Sequence, residues 1–173
     1  EQKLLKRIEP LLAIARANGI EVSSNLVAHA WKKLLEGQAH DSMGGCVTDA
    51  VAEDVLHRMK QVDEIADSIE NLIAKRLSEK IGLERNEILV FNTLPKKFKG
   101  YKIVELMHPS KNVKFEEIED AVLLDAVYYE GKNNLLLESP EGPKYVNEDP
   151  YYRLKVLIPV ELPAMGYRVI RFE

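Results

Sequence analysis

The first eighty or so residues repeat apolar positions at spacings of three and four, the signature of helices with one buried face. Leu4, Leu5, Ile8, Leu11, Leu12 and Ala15 form the first stripe, and Asn18-Gly19 ends it with a residue that tolerates the left-handed backbone. Pro10 falls inside this run, so it either kinks the helix or marks a true start near Glu9. Ser23 or Ser24 can cap a second helix, whose stripe is Leu26, Val27, Ala30, Trp31, Leu34 and Leu35. Thr48 with Asp49 signals a third start. Val51, Val55, Met59, Val62, Ile65, Ile69, Leu72, Ile73 and Leu77 carry that helix to about Lys80, and Gly82 closes it. Such stripes cannot be buried singly, which predicts a three-helix bundle over residues 1–82.

From Glu87 the period changes. "EILVFN", "YKIVEL", "AVLLDAVYYE", "NLLLES", "YYRLKVLIPV" and "GYRVIRF" are short runs rich in β-branched, aromatic and leucine residues, separated by Gly, Pro and Asn clusters. "YVNEDPYYR" reads as a turn through Pro150 before an edge strand. Strands that follow helices without alternating with them predict an α+β fold. Its second part, residues 86–173, is expected to be an antiparallel β unit, an incomplete β-sandwich-like domain. The boundary falls near residues 81–86.

The chain has 173 residues, 46% hydrophobic and 30% charged, which is ordinary for a globular protein with a real core. A net charge of −4 gives no electrostatic reason to expect nucleic acid or an anionic membrane as partner. "KKFKGYK" interleaves lysines with aromatics, but the acidic "FEEIED" nearby makes a solvated β edge the better reading. No apolar run approaches the roughly 18 residues of a membrane span. The single cysteine excludes an intrachain disulfide and suits a reducing, cytoplasmic setting. Glu1 opens the sequence inside a helical pattern, which leads to the expectation of a piece of something longer.

One stretch between helices holds more chemistry than a connection needs: "QAHDSMGGC", residues 38–46. If the second helix runs regularly through Asp41, Gln38 and Asp41 continue its apolar stripe and His40 points away, along the line of Lys33 and Glu36. The bundle core then does not claim His40. A helix-terminal imidazole beside a carboxylate can ligate a metal, but a stable site takes about three or four protein ligands. No His-x-x-x-His, Cys-x-x-Cys or spaced carboxylate set is nearby, so on the residues alone a terminal His with a capping Asp is the simpler reading. Cys46 has no activating neighbour in sequence and reads as a small buried thiol. His29 and His57 read as surface residues, His108 as part of a turn, and Trp31 as core.

The longer segment "AWKKLLEGQAHDSMGGCVTDAVAEDVLHRMKQVDEI" resembles the middle-domain signature of glycoside hydrolase family 38, the α-mannosidases. "ILVFNTLPKKFKGYKIVEL" and "VLIPVELPAMGYRVIRF" resemble the opening strands of that family's C-terminal β domain. The resemblance implies that His40 ligates a divalent metal, most commonly zinc, and that Asp41 hydrogen-bonds sugar hydroxyls. It implies further that the remaining ligands, the nucleophile and the acid/base come from an N-terminal catalytic domain. Retaining glycosidases use two carboxyl groups roughly 5 Å apart, and this chain is expected to supply neither. Gly44-Gly45 departs from the Pro-Gly or Thr-Gly common in the family at this loop, and the wording of residues 38–46 is closest to the bacterial mannosylglycerate hydrolase branch. The implied substrate is a mannose-containing glycan or mannosyl-glycerate, with no nucleic acid or membrane partner. Alone, this chain is expected to be catalytically silent and to bind zinc at most weakly. Two rivals stand beside this reading: a non-catalytic scaffold, and a helical His-Asp metal phosphohydrolase. For the latter, His29 is the one upstream histidine on offer.

Overall fold

Pro10 has no amide hydrogen to donate, and the first helix changes its hydrogen bonding just before it. A π-helical turn spans Leu4–Ile8, with the Glu9 N–H reaching back to the Leu4 carbonyl. The wider turn makes room for a ring that would crowd the carbonyl four residues earlier. The α-helical segment α1, Glu9–Ala17, carries Pro10 in its first turn, but the chain is already helical before it, with Ile8 at φ −72° and ψ −50°. Pro10 thus marks a change from π- to α-helical bonding and not a true start near Glu9. These features belong to a computed structural model that describes residues 1–173.

Helix α2 is Ser24–Glu36, capped by Ser23, whose hydroxyl accepts from Asn25 N at 3.3 Å. Its buried stripe is Val27, Ala30 and Leu34. Leu26 and Leu35 are exposed, because at about 100° per residue they fall on the flanks of that stripe. Trp31 is half-buried against the core and donates from Nε1 to Glu9 Oε1 at 2.8 Å. A short helix α3, His40–Gly44, precedes the long α4, Asp49–Ile81. Gly82 closes α4 in the left-handed conformation at φ 68°.

Leu4, Ile8, Ile69, Ile73 and Leu77 have no exposed surface at all. Each contributes about 1.5–3 kcal/mol through burial, which makes this seam the main source of stability. The 33 residues of α4 reach about 50 Å and the 13 of α2 about 20 Å. The helices cannot match along their whole length. The first buried residue of α4 is Val62, and Val51 and Leu56 stay exposed instead of joining the core.

Strand β1, Glu87–Asn92, pairs with the last strand, β7, Gly166–Arg171. The "NTLP" turn is anchored by buried Asn92, whose amide donates to Lys96 O and Pro163 O while its oxygen accepts from Leu94 N. A three-stranded sheet has the order β2-β6-β3, with β2 Phe98–His108, β3 Val122–Tyr129 and β6 Tyr151–Leu162. Leu154, Val156, Ile158 and Val160 alternate inward along β6, the period-two pattern of a sheet with one buried face. β6 is therefore central, not the edge strand expected after Pro150. Pro159 is tolerated there because β3 pairs only as far as Leu157, so beyond it one side of β6 has no β3 partner. A separate antiparallel ribbon pairs β4, Lys132–Leu137, with β5, Lys144–Glu148. The sequence reading missed β5, whose polar "KYVNE" lacks an apolar run.

The architecture is α+β, with its antiparallel strands divided among three small sheets. Contacts define two compact units that are not contiguous in sequence. One comprises Glu1–Arg85, Leu89–Lys97 and Leu162–Val169, and the other Asn86–Ile88, Phe98–Glu161 and Ile170–Glu173. Leu89, Phe91 and Tyr167 pack onto the helical core, which explains their place in the first unit. A single cut near residues 81–86 therefore does not describe the contacts. No helix is long and apolar enough to cross a membrane.

Two outcomes follow for stability. Ile73→Ala removes a side chain with no exposure and should cost about 2–5 kcal/mol in urea unfolding. Lys3 lies 2.8 Å from Asp67 and 3.3 Å from Asp63. The Asp67 carboxylate first, and Asp63 after it, hold its ammonium above the ordinary 10.5 against the opposing effect of partial burial. A raised lysine stabilises fully below its unfolded value, and that contribution fades as pH rises through the higher folded one. Between pH 10 and 12 the wild type should therefore lose stability slightly more steeply than Lys3→Met, as read by thermal melts.

Candidate functional site

A glycine packed against α4 stands just before residues 38–46. Gly37 is buried at the end of α2, and its N–H bonds Leu34 O at 3.1 Å. A Cβ there would lie 2.7 Å from Met59 Cε and 3.7 Å from Val55 Cγ1 of α4. The missing side chain lets the end of α2 lie against α4. The chain then leaves helical geometry at Ala39, with φ −56° and ψ 139°. It re-enters a single helical turn at His40, which ends where Cys46 N bonds Asp41 O at 3.1 Å and Gly45 takes φ 73°. The expected continuation of the second helix through Asp41 is thus not what forms. His40 begins a separate turn, outside the stripe altogether.

The pair that results is open to solvent. The His40 side chain is 94% exposed and that of Asp41 67%, with Nε2 3.1 Å from Oδ1. A carboxylate on one ring nitrogen orients the imidazole and leaves the other nitrogen available, the relation seen behind metal-bound histidines. No three His, Cys, Asp or Glu side chains converge anywhere in the chain to hold a metal ion. These residues do not make a complete metal centre. At most, His40 could offer a single coordination position.

The other histidines are not drawn in. His29 is exposed on α2. Nε2 of His57 lies 3.0 Å from Gln61 Nε2, and Gln61 Oε1 accepts from Lys33 Nζ at 2.8 Å. His108 is tied into its own turn, with Nδ1 accepting from Ser110 N at 3.1 Å. The cluster that a His-Asp phosphohydrolase needs is therefore not assembled from His29. Cys46 is exposed, contrary to the buried thiol expected, and follows the left-handed Gly45 on a turn with no buried residue. Leu35, Met43, Val51 and Leu56 are exposed on the end of α2, on α3 and on the first turns of α4. Periodicity assigned Leu35 and Val51 to the core; Leu35 falls on the flank of the α2 stripe, and Val51 precedes the first buried residue of α4. A groove of about 250 Å³ lined by Glu9, Leu12, Arg16, Ser24, Val27 and Ala28 shares no residue with the pair.

The two glycines of the turn should respond differently to substitution. Gly44 is helical with nothing within 4 Å of an added Cβ, so Gly44→Ala should be neutral or slightly stabilising. Gly45 has equal space but a positive φ, and Gly45→Ala should cost about 1–2 kcal/mol of local stability. Amide exchange across residues 40–46 reads the difference.

No curated protein matches the chain. Residues 1–78 match the family model described as the alpha mannosidase middle domain. The helical segment that carries His40 and Asp41 is thus similar to the middle domain of the α-mannosidases.

Proposed function

We propose that this chain is the middle segment of a retaining α-mannosidase-type glycoside hydrolase, and that it lends two side chains to an active site completed by an N-terminal catalytic domain. In this reading His40 supplies one ligand to a divalent metal, most suitably zinc, and Asp41 accepts hydrogen bonds from sugar hydroxyls. The metal, when bound, supplies positive charge that holds and polarises hydroxyl oxygens of the glycone. What this chain's own residues do is position: α3 holds the imidazole and the carboxylate side by side at the surface. The nucleophile and the acid/base lie outside it.

The observation that carries the reading is the near-complete exposure of His40 next to Asp41 on a turn that the core does not use. A histidine serving the fold would be expected to be enclosed and locally satisfied. The exposed Leu35, Met43, Val51 and Leu56 on the same elements support a surface that another domain covers. The substrate class is a terminal mannoside. Mannosyl-glycerate is the first small substrate to try, since residues 38–46 resemble that branch most closely.

Two measurements test the proposal together. Calorimetric titration of this chain with zinc should give no tight stoichiometric binding, because one imidazole and one carboxylate are too few. In the full-length enzyme, His40→Ala should lower metal content and cut mannosidase activity by about a hundredfold or more. Partners one step removed from a metal already cost about 10–100-fold. The same substitution should leave folding stability within about 0.5 kcal/mol, as for an exposed side chain. A full-length His40→Ala enzyme that keeps its metal and its turnover would refute the assignment.

A further inference from the structure

The β4-β5 ribbon pairs with no other strand, so its two outer edges are open. A two-stranded ribbon is marginal in water, and adding strands is what makes such a unit stable. The two edges are not equivalent. β4 carries a register irregularity between Lys132 and Leu135, with Asn134 at φ 57°, the kind of bulge that blunts an edge. β5 pairs regularly through Lys144, Tyr145 and Val146, and all five of its residues are exposed.

The sequence of β5, Lys144-Tyr145-Val146-Asn147-Glu148, is basic at its start and acidic at its end, with Val146 at the centre. We infer that β5 is a self-complementary edge through which two copies of this chain pair antiparallel, giving the strand order β4-β5-β5-β4 about a two-fold axis at Val146. In that register Lys144 of each copy faces Glu148 of the other, and Val146 faces its own counterpart. The rows already set by the ribbon extend the match. Leu135 lies opposite Val146, so an apolar row of four side chains crosses the joined sheet. Lys132 lies opposite Glu148, so each new ion pair ends on a further lysine. A one-residue slip would turn every side chain to the other face, and a parallel arrangement would set Lys144 on Lys144. Lys144 already touches Glu141 at 2.7 Å, but both groups are exposed and free to exchange partners.

Charge reversal isolates this contact. Sedimentation of the 173-residue chain should show a concentration-dependent monomer–dimer equilibrium that weakens as salt is raised. Lys144→Glu and Glu148→Lys should each weaken self-association roughly tenfold, since like charges then meet twice across the axis. An equimolar mixture of the two variants should associate again, because each supplies the sign the other lacks. A wild type that stays monomeric up to the highest soluble concentration overturns the inference. So do a dimer indifferent to both reversals and single variants that are weakened but do not recover on mixing.

Discussion

The close approach of Gly37 to Val55 and Met59 is the constraint from which the candidate site follows. A Cβ at Gly37 would meet the flexible end of Met59 and touch Val55 at ordinary contact distance, so glycine gives the end of α2 its easiest fit against α4. Because α2 ends there, the chain must reverse its backbone at Ala39 before it can be helical again. His40 and Asp41 then fall on a new turn whose orientation owes nothing to the apolar stripe of α2. Had the helix run on, Asp41 would have been drawn toward the core and only His40 left out. The break puts both in solvent together.

Stability and the site draw on different residues, and the magnitudes show how far apart they are. The seam of Leu4, Ile8, Ile69, Ile73 and Leu77 is fully buried, and each member is worth a few kcal/mol. The surface ion pairs along the same helices, Lys3–Asp67 and Arg7–Glu70, are partly exposed, and pairs at a surface contribute about 0–1 kcal/mol. His40 and Asp41 resemble the second group in exposure and touch nothing in the first. A change at either is therefore free of any large folding cost. Under the proposed reading, that separation would allow a loss of function at His40 to be read as chemistry and not as unfolding.

Much of this was legible in the sequence because burial imposes a period. Val62, Ile69, Ile73 and Leu77 recur at helical spacing and are all buried, and Leu154 to Val160 alternate as a half-buried strand must. Gly19 and Gly82 end helices where their left-handed backbone is needed. What misled the reading were features that no local pattern encodes. Leu26 and Leu35 fit the period but fall on the flanks of the buried stripe, and Val51 precedes the first buried residue of α4. The break at Gly37 depends on side chains of α4 some twenty residues later. β5 was invisible because an exposed ribbon strand buries no face and so carries no alternation. The openness of His40 was anticipated, though from a helix that does not form, and the resemblance to the α-mannosidases gave that openness a chemical meaning.

An imidazole and a carboxylate standing in water do little unaided. Each is solvated, neither is enclosed, and two donors of this kind do not hold a divalent ion against its own hydration. Under the proposed reading, their value would lie in being held side by side on one turn when a second surface arrives. α3 does this with few parts: an extended residue at Ala39, one helical turn, and a left-handed glycine to close it. The neighbouring Leu35, Met43, Val51 and Leu56 supply apolar surface whose burial would drive an enclosing contact. Enclosure in turn lowers the local dielectric, which strengthens the grip of a carboxylate on sugar hydroxyls and of an imidazole on a metal. Under the proposed reading, the exposure of this turn is thus the condition for sharing a site: a buried histidine would serve one domain, and a presented one can serve two.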